Sequence, residues 1–146
     1  MGKRATILFP KALPTQERAP VRDFAATLVS DVLDGHTFTC LLTNDKQLQA
    51  LNKEFLQHDY PTDVLSFPAP DGNDLGEIAI SLDRAGQQAT DHGHSTIDEL
   101  KVLMLHGVLH LSGLDHETDS GQMRRTETKW RKALGLPVGL IARARR

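Results

Sequence analysis

His106, His110 and His116 fall in the run His106-Gly107-Val108-Leu109-His110-Leu111-Ser112-Gly113-Leu114-Asp115-His116, a spacing at which three imidazoles can hold one metal ion. Residues four apart lie one above the other on a helix, so His106 and His110 present two nitrogens to one point in space. For His116 to reach that point the helix must end after His110 and the chain must double back. Gly113 stands where such a reversal needs a left-handed residue. Three protein ligands with a fourth position left to water is the arrangement of catalytic zinc, whereas structural zinc takes four ligands, mostly cysteine. The chain has a single cysteine, Cys40. Asp115, directly before the last histidine, is a candidate to brace the turn or to accept a hydrogen bond from an imidazole, the usual task of a carboxylate around a metal site. It is also the one candidate for a catalytic carboxylate in this run. Helix capping suffices to explain Glu117 and Asp119. His94 is placed to orient a loop, and His36 and His58 are expected at the surface.

The elements that must carry this run follow from its surroundings. Ala5-Thr6-Ile7-Leu8-Phe9, closed by Pro10, reads as a strand. Val21, Phe24, Ala25, Leu28, Val29 and Val32 recur at helical spacing up to Gly35. Thr37 to Leu42 is a second strand, and Thr43-Asn44-Asp45 caps a helix whose inward residues are expected to be Leu48, Leu51 and Phe55. Thr62 to Phe67 and Gly76 to Ser81 read as two strands joined by a turn-rich loop. Ser95, with Asp98 three residues on, opens the metal-bearing helix, whose Ile97, Leu100, Leu103 and Met104 point inward. Asp119 or Ser120 caps a last helix that runs through Trp130 to about Leu134, ended by Gly135 and Pro137. The order β-α-β-α-β-β-α-α-α predicts an α/β (α+β) fold, a small mixed sheet of about four strands packed with about five helices.

A length of 146 residues predicts one domain over 1–146. Its apolar runs are too short to span a bilayer, and no secretory leader is visible at the N-terminus. With one cysteine, this points to a reducing cytoplasm. The formal charge of −2 conceals a division: the last 26 residues hold eight Lys and Arg against one acid, Glu127, for a net +7. The first 120 hold nine basic and eighteen acidic residues, for a net −9. A basic final helix and a basic tail at 136–146 on an acidic body form an electrostatic footprint for nucleic acid, or a solvated amphipathic helix with a frayed end.

The histidine frame, glycine included, is that of the metzincin peptidases. Those enzymes place a glutamate beside the first ligand as general base, and here that place is Gly107, which disfavours proteolysis. Other blocks point elsewhere. Leu51-Asn52 with Phe55, then Asp59, Thr62-Asp63-Val64-Leu65-Ser66-Phe67-Pro68, Leu75-Gly76-Glu77-Ile78, and Gly93-His94-Ser95 with Glu99 precede the histidine run. In that order, over residues 51 to 116, they resemble the YbeY family of bacterial metal-dependent endoribonucleases and rRNA maturation factors. The resemblance implies cleavage of single-stranded RNA, in particular maturation of the small-subunit rRNA 3′ end and ribosome quality control. It implies one zinc ion per chain on His106, His110 and His116. The partners implied are precursor rRNA and the small ribosomal subunit or its proteins, with no membrane. One position departs from the family: Leu56 stands where the family usually has arginine, and leucine cannot grip a phosphate. Lys53 and Arg84 are the candidate substitutes. The alternative from another class is a ribosome-assembly factor that binds RNA or protein around a largely structural metal, and a metallopeptidase comes third.

Overall fold

The computed structural model describes residues 4–69, 72–115 and 118–137. Four strands, β1 (Thr6–Leu8), β2 (Thr37–Thr43), β3 (Val64–Pro68) and β4 (Asp74–Ser81), form one sheet in the order β1-β2-β4-β3. β1, β2 and β4 run parallel, and β3 pairs antiparallel with β4 at the far edge. Five helices accompany them: α1 (Thr15–Thr27), α2 (Asp45–Leu56), α3 (Leu82–His92), α4 (Thr96–Leu111) and α5 (Gln122–Ala133).

Alternation along the strands sorts the sheet into two faces. Phe38, Cys40 and Leu42 of β2 and Ile78 and Ile80 of β4 point to one side, where they meet α1 and α4 in the main core. Leu65 and Ala79 point to the other, where Leu48 of α2 covers them. α4 is the centre of the molecule, touching β3, β4, α1, α3 and α5. That is why nearly all of it, from Glu99 through Leu111, is buried, with only Glu99, Lys101, His106 and His110 polar.

Short polar side chains start three of the helices. Asn44 accepts from the Gln47 N–H at 2.8 Å, Ser81 from Arg84 at 3.1 Å and Ser95 from Asp98 at 3.0 Å. At the last helix Asp119, one of the two expected caps, supplies the capping carboxylate, although the cap position itself falls two residues further on. Gly121 occupies its cap in a left-handed conformation, and the Asp119 carboxylate reaches past it to accept from both Gly121 and Met123, at 2.8 and 2.9 Å. The first helix passes into a π-helical turn over Leu28–Val32 before Gly35. β1 is confined to three residues and β4 begins at Asp74.

Phe55 is the clearest correction. Expected inward, it is 59% exposed and rests edge-on against Phe67, 5.5 Å between ring centres. α2 crosses only part of the outer sheet face, so its last turn overhangs a groove of about 270 Å³ lined by Leu8, Leu41, Phe67 and Glu77. Of the basic tail at 136–146, residues 138–146 lie outside the described residues.

Candidate metal centre

α4 brings His106 and His110 together as the spacing predicts: their rings meet edge-on with centres 4.9 Å apart. His106 is 6% exposed and His110 half-buried. The helix then ends in a Schellman turn. Gly113 takes φ +103° and donates to the His110 carbonyl at 3.0 Å, while Leu114 donates to Leu109 at 3.2 Å. Leu114 folds back on the core that contains Leu109, so the reversal is pinned by apolar contact as well as by hydrogen bonds. Asp115 follows on the surface, and its main-chain carbonyl accepts from Thr118 and Asp119. His116 and Glu117 lie outside the described residues. Among the described residues no group of three His, Cys, Asp or Glu is placed to hold a metal ion.

Gly107 explains why this helix lacks the peptidase glutamate. A Cβ built there would stand 3.0 Å from Ile78 Cγ2 and 3.4 Å from Val64 Cγ2. The position faces the sheet at closest approach, and Ser66 Oγ donates to the Gly107 carbonyl at 3.2 Å. A carboxylate at 107 would be driven into the apolar core, away from any substrate.

The residue that sequence reasoning missed is Glu127. Its Oε2 accepts from Nδ1 of His106 at 2.7 Å, and Glu127 is 2% exposed. A carboxylate on Nδ1 holds the proton there and leaves the lone pair on Nε2, the nitrogen able to take a metal. A signal for it was present. Met123, Glu127, Trp130 and Leu134 recur at i, i+4, i+7 and i+11, so the one acid of the basic segment lies on the stripe that packs against the core.

A second polar array runs beside the first. His94 Nε2 meets Glu99 Oε1 at 2.6 Å, so His94 is bound to the helix it precedes rather than to a loop. Gln88 donates to both Glu99 and Asp63, each at 3.3 Å, which ties α3 to α4 and to the start of β3. Glu99 lies seven residues before His106 on the same face of α4. Burial pushes the Asp63 carboxyl above its ordinary range; the Val64 N–H and the neighbouring His106 oppose that rise, and Glu99 adds to it. Asn52, also in the motif blocks, is 2% exposed and ties down the following loop through the Tyr60 carbonyl at 3.0 Å.

The two cations considered in place of an arginine at 56 are engaged elsewhere. Arg84 Nε bonds both oxygens of Asp45 at 3.1 Å, and Lys53 lies 3.9 Å from Asp59 on the surface. Leu56 is 44% exposed, His36 half-buried and His58 exposed.

The fold and the site together define a mixed α/β protein whose buried central helix carries a carboxylate-braced histidine pair. Residues 16–135 match the family described as Endoribonuclease YbeY. Over 139 residues the chain is 49% identical to the Endoribonuclease YbeY of Solibacter usitatus, covering 95% of this chain and 94% of that one. With that of Nautilia profundicola it shares 46% identity over 79% of this chain and 84% of the relative. The chain belongs to the YbeY endoribonuclease family. A solution structure of a Thermotoga maritima protein has the same fold, with a TM-score of 0.63 at 24% identity over 88% of this chain and 86% of that one. Among the described residues no helix is long and apolar enough to cross a membrane.

Proposed function

We propose that this chain is a zinc-dependent endoribonuclease that hydrolyses phosphodiester bonds of single-stranded RNA in the cytoplasm. Its task in this reading is maturation of the small-subunit rRNA 3′ end, in contact with the small subunit or its proteins. The observation that carries the proposal is the His106–His110 pair, held with one ring's tautomer set by Glu127, in a chain whose relatives are named endoribonucleases. His106 and His110 supply two ligands, and His116, after the Gly113 reversal, supplies the third. A zinc ion bound there provides Lewis acidity toward a phosphoryl oxygen. Glu127 orients the first ligand, the main chain of Asp115 shapes the exit from the turn, and the basic residues of α5 attract the phosphate backbone. Gly107 in the core speaks against peptidase chemistry.

Purified protein is expected to cut a single-stranded fragment of precursor rRNA. Chelation should abolish cutting, zinc should restore it, and a His110→Ala variant should be inactive; equal cutting by the variant overturns the proposal. A second reading, an assembly factor with a structural metal, is favoured by Leu56 and by the engagement of Arg84 with Asp45. It predicts that His110→Ala protein still binds pre-ribosomal particles and supports maturation.

A further inference from the structure

We infer that Glu127 is a positioning residue of the histidine site: it fixes His106 as the Nδ1–H tautomer and thereby sets the affinity of the site for a divalent transition metal. The inference rests on the metal reading above and goes beyond it in giving α5 a part in the site. A buried carboxylate is costly unless it is hydrogen-bonded to a strong donor. Glu127 is 2% exposed and lies 2.7 Å from His106 Nδ1, the length of a charge-assisted bond. A role as mere packing would be met by any apolar residue on the Met123–Trp130 stripe. The carboxylate is chemically specific, because it accepts and cannot donate. A glutamine there could turn its amide and donate to Nδ1, moving the imidazole proton to Nε2 and blocking coordination.

The molecule contains its own control. Glu99 and His94 form a pair of similar length, 2.6 Å, with Glu99 fully buried. His94 stands outside the histidine frame at 106, 110 and 116, so Glu99→Gln removes a buried carboxylate whose imidazole partner is not one of those three.

The test uses the full chain. Imidazole nitrogen NMR of metal-free protein should show His106 as the Nδ1–H tautomer, and Glu127→Gln should shift it toward a mixture. Zinc affinity, measured by chelator competition, should fall about 10- to 100-fold in Glu127→Gln, with the circular dichroism of the folded chain retained. Glu99→Gln should leave zinc affinity unchanged. An unaltered tautomer and affinity in Glu127→Gln, or an equal loss in Glu99→Gln, overturns the inference. Wild-type protein that takes up no zinc sinks the metal reading and the affinity half of this one, while the tautomer still decides whether Glu127 orients His106.

Discussion

A single methyl group at residue 107 measures how closely α4 is seated. Ile78, the side chain it would meet at 3.0 Å, is fully buried and cannot swing away. Overpacking of this kind costs about 1–3 kcal/mol, and the helix propensity that alanine gains over glycine returns about 1 kcal/mol of it. Gly107→Ala is therefore expected to lower stability despite its better helix propensity, and urea unfolding will show it; a rise in stability would contradict the close seating. At this scale the site was half legible. His106, His110 and Gly113 lie within one helix and its turn, so spacing alone relates them. Glu127 comes 21 residues later, and only tertiary packing of α5 on α4 joins it to His106. Asp63 and Glu99 stand in the motif blocks, but the link that Gln88 makes between them joins three separate parts of the chain and shows only in the folded molecule.

Among the elements, caps and periodicity locate the helices, and the departures from that pattern have common causes. Leu, Val and Met residues stand on all sides of α4 because it is enclosed, so its sequence shows that it is buried but not which neighbour takes which face. Phe55 follows the same period as Leu48 and Leu51 and meets Phe67 of β3, yet stays exposed beside the groove, because periodicity gives a direction and says nothing of whether the space there is filled. Asp119 marks the start of α5 in the sequence, and its carboxylate acts from two residues outside the cap. Asp119→Ala removes the acceptor for two main-chain N–H groups. It is expected to destabilise the fold by about 1–2 kcal/mol and, through α5, to loosen Glu127 from His106. Unfolding midpoints will measure the first effect; a midpoint equal to that of wild type would show that the Asp119 carboxylate adds nothing to the cap.

For the whole molecule, the mixed sheet and the helix count followed from the order of elements, whereas the strand order β1-β2-β4-β3 did not, because periodicity carries no information about neighbours. The interior has one consequence for pH. Cys40 lies fully buried in the main core, and burial pushes its thiol up from the ordinary value of about 8.5. The folded chain holds this proton more tightly than the unfolded chain. Its contribution to stability is therefore complete below about pH 8.5 and is lost as the pH rises beyond it. Wild-type protein should lose more stability than Cys40→Val between about pH 7 and about pH 10, as read by urea midpoints; equal losses would place the alkaline sensitivity elsewhere.

The 21 residues between His106 and Glu127 are also an interval of time. Synthesis adds about 5–20 residues per second, so the histidine is made about 1–4 s before the carboxylate that orients it. Until residue 127 has been added and α5 has packed on α4, the Glu127 carboxylate is not there to hold the His106 proton on Nδ1. The site is thus complete only when α5 closes over it, and a chain interrupted before residue 127 would lack the carboxylate that directs His106.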